Sequence, residues 1–197
     1  MRFLFLLFFL VFCNTKILIA LDTKSTHAVV LDFETEDILF SKNKDELTPP
    51  ASMTKIMTTY IVFDRIKNGN LTLDDKFIIS SKAYKMGGSR MFLENNSKVT
   101  VKDLLYGIIV QSGNDASVAV AENISGTEEE FAKLMNKYAD EFGMDNSNFV
   151  NSSGWPNPNH YSSMKDLSTL SRNIIKDFPE LYKIFAEKKF VYNNIRQ

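Results

Sequence analysis

The stretch "PPASMTKIMT" at residues 49–58 places two prolines directly before an apolar helical pattern, and this order restricts where a helix can begin. Proline has no backbone N–H and is tolerated only before a helix or in its first turn. The apolar residues that follow recur at helical spacing: Met53, Ile56, Met57, Tyr60 and Ile61. The pattern predicts a helix that buries one face and ends at "KNGN", residues 67–70.

The beginning of the chain combines Arg2 with an unbroken apolar run from Phe3 to Cys13. A membrane-spanning helix needs about 20 apolar residues, and this shorter run is typical of the core of a secretory signal peptide. We therefore expect residues 1–20 to be a signal peptide and the protein to be exported. An uncleaved membrane anchor is the alternative, because Lys16 interrupts the pattern before Ala20, the small residue at a suitable cleavage position.

Composition excludes several classes of function. The chain has 23 Lys and Arg against 24 Asp and Glu, so no net basic charge favours nucleic acid as a partner. Cys13 is the only cysteine and lies in the expected signal peptide, which excludes a thiol nucleophile or a disulfide in the mature chain. His27 and His160 are far apart in sequence and form no zinc-binding pattern. We therefore expect no metal site, and we expect any hydrolytic chemistry to rely on oxygen nucleophiles and amines.

The remaining patterns predict one domain of mixed α/β (α+β) class over residues 21–197. An apolar run from Ala28 to Leu31 and a second from Ile38 to Phe40 flank a polar turn and predict a β-hairpin. Four further helices are predicted after the first: one that Thr100 caps through Asp103, one at "ASVAVAEN", residues 116–123, that Gly126 closes, one over residues 128–142, and one from Ser163 to Lys176 with Asp166 in its capping box.

A Ser-x-x-Lys motif occurs three times in the chain, as Ser41 with Lys44, Ser52 with Lys55, and Ser162 with Lys165. Only the second copy precedes a strongly apolar helix and places both residues in its first turns, where positions i and i+3 share a face. A lysine in an apolar site can be a neutral amine and can act as the base for a serine. The alternative is that Ser52 caps the helix while Lys55 points to solvent.

The segment "QSGNDAS", residues 111–117, interrupts an apolar helical stretch. It leaves Ser112 and Asn114 as polar groups between two buried segments, where polar groups are costly unless they are hydrogen-bonded or used in function. A plain helix–loop–helix connection is the alternative. For His160 and Trp155, in "GWPNPNHYSS", we expect packing within a loop rather than catalysis.

Together, "SMTK" and "SGN" resemble the first two of the three motifs of the penicillin-recognising serine enzymes, Ser-x-x-Lys, Ser-x-Asn and Lys-Thr-Gly. With the flanking "GSRMFLENN", "IIVQSGNDA", "FAKLMNKYADEFGM" and "FVYNNIRQ", the chain resembles the D-alanyl-D-alanine carboxypeptidases, the low-molecular-mass penicillin-binding proteins, from about Thr26 to its last residue. The resemblance implies a β-lactamase/transpeptidase-like fold, an antiparallel sheet flanked by helices.

The resemblance also implies a role for each motif residue. Ser52 would be the acylated nucleophile and Lys55 its general base, Ser112 would pass a proton to the leaving D-alanine, and Asn114 would hold the substrate amide. The implied substrate is a peptidoglycan stem peptide ending in D-Ala-D-Ala, and β-lactams would acylate the same serine. No cofactor is implied. The implied location is the periplasm or the outer face of the inner membrane.

The sequence departs from the family at the third motif, because it contains no Lys-Thr-Gly. In the family, the strand with this motif supplies an oxyanion donor and the groups that bind the substrate carboxylate. We therefore expect residues 21–197 to be the N-terminal part of the catalytic domain, with the C-terminal sheet strands missing. The alternatives are an inactive fragment that acts only through a partner chain supplying those strands, and a D,D-endopeptidase of the same family.

Overall fold

The computed structural model describes residues 21–197, so the expected signal peptide lies outside the described residues. The strands are β1 (Ala28–Leu31), β2 (Ile38–Lys42), β3 (Lys76–Ile78), β4 (Lys98–Thr100), β5 (Val191–Tyr192) and β6 (Ile195–Arg196). The α-helices are α1 (Thr54–Lys67), α2 (Ser81–Tyr84), α3 (Val101–Ile109), α4 (Asn114–Ser125), α5 (Glu128–Glu141), α6 (Met164–Asp177) and α7 (Pro179–Tyr182). Short 3-10 turns lie at Ala51–Met53 and Lys183–Ala186.

Helix α1 lies at the centre of the molecule and contacts α3, α4, α5 and α6. The sequence predicts one buried face, but the helix is buried on almost every side from Thr54 to Phe63. Val62 and Phe63, outside the predicted face, are as fully buried as Met57 and Ile61. A helix surrounded by other helices buries its whole circumference, which holds the residues at its N-terminal end in a fixed place.

The predicted hairpin is present, with β1 antiparallel to β2 and Val30 opposite Phe40. Strand β2 continues to Lys42, two residues beyond the predicted end. Helix α6 packs against β1, whereas Val30, Ile38 and Leu39 remain exposed, Leu39 at 66%. Among residues 21–197 the hairpin has no third strand, and its apolar surface is only partly covered. The predicted class of antiparallel strands flanked by helices is confirmed.

Side-chain caps set the helix starts that the sequence predicts. The backbone N–H of Asp103 donates to the Thr100 hydroxyl at 3.0 Å at the start of α3, and that of Asp166 donates to the Ser163 hydroxyl at 3.2 Å at the start of α6. Both of these helices contact α1. In the described part of the chain, no helix is both long and apolar enough to cross a membrane.

Candidate active site

The Ser-x-x-Lys motif at residues 52–55 lies where the chain enters α1. The sequence predicts both residues within one α-helix, but Ser52 lies in the 3-10 turn that precedes α1, and only Lys55 is α-helical. Met53 is the N-cap residue of α1, and it makes no side-chain capping bond. The interpretation of Ser52 as a helix cap is therefore wrong, and its hydroxyl is free of that structural role.

Lys55 is buried, with 4% of its surface exposed, so the alternative in which it points to solvent is also wrong. Its Nζ lies 3.2 Å from the Ser52 Oγ and donates to the carbonyl oxygen of Ser153 at 2.8 Å. Burial disfavours the charged ammonium and lowers the pKa of Lys55 from 10.5 to about 8. A useful fraction of this amine is therefore neutral near physiological pH, within reach of a serine hydroxyl.

The other two Ser-x-x-Lys copies do not form such a pair. Lys44 makes an ion pair with Asp45 next to it in sequence. The Ser162 hydroxyl lies 2.7 Å from that of Ser147, and Lys165 is exposed. Of the three copies with the same spacing, the one at Ser52 therefore differs by its buried lysine and by the contact of that lysine with the serine hydroxyl.

Ser112 lies in the connection between α3 and α4, as the sequence predicts for the "QSGND" break. Its φ is +57°, an uncommon conformation for a residue other than glycine and one that persists where the surrounding structure enforces it. Ser112, Ser52 and Lys55 line a common cavity of about 110 Å³, whose apolar wall includes Ile108 and Phe185. Three polar groups of the predicted site thus share one small, largely apolar space.

Asn114 is the first residue of α4 and is buried. Its side-chain Nδ2 donates to the carbonyl of Gly87 at 2.9 Å, and its backbone N–H donates to that of Ser89 at 2.8 Å. Asn114 is not among the residues that line the cavity of Ser52, Lys55 and Ser112. The structure therefore brings three of the four predicted residues together and places Asn114 beside them, held against the loop of Gly87.

A loop at residues 150–160 supplies contacts that the sequence does not predict. The Ser153 carbonyl accepts from Lys55, and the Ser152 carbonyl accepts from the Thr58 hydroxyl at 2.7 Å. Two successive carbonyls thus bind side chains on one face of α1. No sequence signal points to them, because every residue has a carbonyl and Ser153 is 98 positions from Lys55.

His160 is buried in the same loop and ties it to the start of α1. Its Nδ1 accepts from the backbone N–H of Val150 at 3.1 Å, so the other ring nitrogen carries the proton and donates to the Thr54 hydroxyl at 2.8 Å. Burial lowers the pKa of His160 to about 4, although the charge of Glu128 opposes the shift. These contacts fit the packing role predicted for His160. Trp155 is 46% exposed and lies over Gly87.

Titratable groups in residues 21–197 form no cluster of three or more His, Cys, Asp or Glu side chains that could hold a metal ion. The site consists instead of hydroxyls, one amine of lowered pKa, and backbone carbonyls. This arrangement is suited to acyl transfer through a serine with a lysine as base.

Comparison with known proteins agrees with this interpretation of the site. A profile of the D-alanyl-D-alanine carboxypeptidase family matches residues 14–197. The carboxypeptidase DacA of Haemophilus influenzae is 44% identical over 172 residues, which cover 86% of this chain and 44% of that protein. The crystal structure of the carboxypeptidase DacD from Francisella tularensis has a TM-score of 0.86 and 42% identity, over 88% of this chain and 42% of its own.

Penicillin binding protein 5 from Haemophilus influenzae has a TM-score of 0.85 and 43% identity, over 87% of this chain and 51% of its own. The chain spans less than half of the length of the curated relative described above. Family profile, sequence identity and fold agree over the described residues. The chain belongs to the D-alanyl-D-alanine carboxypeptidase family.

Proposed function

We propose that this chain carries the nucleophile and the general base of a serine-type D-Ala-D-Ala carboxypeptidase, with a peptidoglycan stem peptide as substrate. The observation that carries the proposal is the distance of 3.2 Å between the Lys55 Nζ and the Ser52 Oγ. The lowered pKa of Lys55 supports it, because a buried lysine of this kind can accept a proton near neutral pH.

Acylation follows from this geometry. The Ser52 oxygen attacks the carbonyl carbon of the penultimate D-alanine while its proton moves to the neutral Lys55 amine. The peptide C–N bond then breaks, and the terminal D-alanine leaves after its nitrogen receives a proton through Ser112. Asn114 holds the substrate amide. Ser112 suits its role because it shares a cavity with Ser52 and Lys55.

Deacylation uses the same groups in the opposite direction. A water molecule attacks the ester carbonyl, gives its proton to the neutral Lys55 amine, and the Ser52 oxygen recovers a proton as the ester bond breaks. A β-lactam would acylate Ser52 in the same way, but its amine stays tethered after the ring opens and so does not leave the site. Slow hydrolysis of that ester would account for penicillin binding.

We further propose that turnover needs groups outside the present sequence, which lacks Lys-Thr-Gly. Loss of one oxyanion donor alone costs about a hundredfold or more in rate. The two-stranded hairpin supports this view, since a sheet edge can pair with further strands from a partner chain. Without those strands the chain would be inactive. We propose that the protein is located in the periplasm or on the outer face of the inner membrane, because its sequence begins with an expected signal peptide.

Labelling of the purified full chain with a fluorescent penicillin tests the proposal. We expect an adduct that mass spectrometry locates on Ser52. The variant Ser52→Ala should lose the label, whereas Ser41→Ala, which changes the serine of another Ser-x-x-Lys copy, should keep it. A label that persists in Ser52→Ala would exclude Ser52 as the nucleophile.

If the folded chain takes no label, the family's missing C-terminal segment should be added as a second chain. Label that appears on Ser52 only then would show that the site is completed by that segment. Failure of both samples would exclude the proposed activity. Product analysis with a stem pentapeptide and with a cross-linked dimer separates a carboxypeptidase from an endopeptidase.

A further inference from the structure

Glu128, the first residue of α5, is a buried carboxylate outside the predicted motifs, with 8% of its surface exposed. Its Oε1 accepts two hydrogen bonds from Ser152, from the backbone N–H at 3.0 Å and from the hydroxyl at 2.7 Å. Its Oε2 pairs with the Lys82 Nζ at 2.9 Å. Both oxygens of this carboxylate are therefore occupied, one of them by the loop that contacts Lys55.

The segment that Glu128 holds is the one that α1 contacts. Ser152 is fully buried, and its carbonyl accepts from the Thr58 hydroxyl at 2.7 Å. The next carbonyl along the chain, that of Ser153, accepts from the Lys55 Nζ at 2.8 Å. The Glu128 carboxylate and the Lys55 amine thus bind adjacent residues of one backbone segment, Ser152 and Ser153.

The strength of these contacts makes the position of the loop sensitive to Glu128. A hydrogen bond to a charged group is stronger than a neutral one, and a buried N–H or hydroxyl left without a partner is costly. Ser152 has no access to solvent that could replace the carboxylate. Loss of Glu128 should let the segment move, and a displacement of about 1 Å near reacting groups can lower a rate a hundredfold.

We propose that Glu128 is a positioning residue, whose carboxylate fixes residues 152–153 and thereby holds the Lys55 amine against Ser52. The proposal rests on the proposed function for the catalytic meaning of Lys55, but the placement of its amine can be measured without turnover. Other titratable groups face Glu128. On one side lies Lys82, whose Nζ is also 3.4 Å from the Oε1 of Glu129. On another lies His160, whose pKa the charge of Glu128 raises.

The variants Glu128→Ala and Glu128→Gln separate positioning from charge. Both remove the negative charge that acts on Lys82 and His160, but glutamine keeps an oxygen that can accept from Ser152. Glu129→Ala is the matched control, because Glu129 is the next residue on the same helix, is exposed and also contacts Lys82.

The first measurement is the rate at which a fluorescent penicillin acylates the labelled fraction of the full chain. We expect Glu128→Ala to slow acylation about tenfold or more, with Glu128→Gln and Glu129→Ala within about threefold of the unchanged protein. Because the rate refers only to protein that becomes labelled, a smaller folded fraction does not change it. A folded Glu128→Ala variant that reacts at the unchanged rate would overturn the proposal.

The second measurement is NMR titration of the Lys55 Nζ in protein labelled with ¹⁵N, which needs no activity. We expect a pKa of about 8 in the unchanged chain and in Glu128→Gln, and a higher pKa in Glu128→Ala, because a loosened loop admits water to the amine. An unchanged pKa in folded Glu128→Ala would contradict the proposal even if the chain takes no penicillin. If Glu128→Ala does not fold, Glu128→Asp, which withdraws the carboxylate by one methylene and keeps its charge, should show the same changes.

Discussion

Gly154 lies directly against the backbone of Ala51, the residue before the proposed nucleophile. A Cβ atom built on Gly154 would be 1.8 Å from the Ala51 carbonyl oxygen and 2.9 Å from the Thr54 hydroxyl. The φ of Gly154 is +79°, a region that other residues rarely adopt. Ala51 itself has a φ of +47°. The entry to α1 and the loop of Ser153 are thus in contact at backbone level, which leaves no space for a side chain.

Gly154→Ala should therefore destabilise the protein by more than the backbone conformation alone explains. We expect a loss of more than about 2 kcal/mol in the free energy of unfolding, measured by urea denaturation, and loss of penicillin labelling at Ser52. Gly69→Ala is the control, because Gly69 has a similar φ of +72° with no atom within 4 Å of its Cβ position. Its cost should be about 1 kcal/mol. Equal costs for the two variants would show that the contact with Ala51 is unimportant.

Acylation of Ser52 should depend on pH through Lys55. The pKa of Lys55 is lowered to about 8 by burial, so the neutral amine is a minor form at pH 7 and the major form at pH 9. We expect the rate of penicillin acylation to rise about tenfold between these pH values, because only the neutral amine can accept the proton. Lys55→Arg should react too slowly to measure, since a guanidinium stays charged. A rate independent of pH over this range would argue against Lys55 as the base.

Local patterns predict most of the elements because those elements depend on neighbours in sequence. The hairpin from Ala28, the helix after Pro50, and the caps at Thr100 and Ser163 each follow from a pattern within one short stretch of sequence. The Ser52–Lys55 pair is also local. The burial of Val62 and Phe63 is not, because it depends on which helices surround α1.

The contacts that surround Lys55, made by Ser153 and Glu128, could not be predicted for the same reason. Ser153 takes part through a backbone carbonyl, which the residue type does not indicate. Glu128 follows a helix cap, where an acidic residue is ordinary because it favours the helix dipole. Only folding shows that its carboxylate turns inward to Ser152, 24 positions away in sequence.

His160 should make stability depend on pH. Its pKa is about 4 in the folded protein against 6.5 for an ordinary histidine, so between these values the unfolded chain binds more protons. The contribution of His160 to the free energy of unfolding is therefore fully present above pH 6.5 and is lost as the pH falls towards 4. We expect a loss of about 2 kcal/mol between pH 7 and pH 5.

Urea denaturation at these two pH values checks the effect of His160. His160→Gln should reduce the loss on acidification, because glutamine does not titrate in this range. The same loss in His160→Gln as in the unchanged protein would assign the effect to carboxylates instead.

Asp115 should be among the most sensitive polar residues for folding. It is buried next to Asn114, and its carboxylate accepts from the backbone N–H groups of Met91, Leu93 and Ala116 at 2.9 to 3.1 Å. Asp115→Ala would leave these donors without that partner, so we expect a loss of at least about 3 kcal/mol in the free energy of unfolding.

The exposed Asp140 on α5 provides the control, and Asp140→Ala should change stability by less than about 0.5 kcal/mol. Since Asp115 fixes the start of α4, the Asp115→Ala variant should also lose penicillin labelling under conditions where it remains folded. Retained labelling with unchanged stability would mean that the loop of Met91 and Leu93 is held by other contacts.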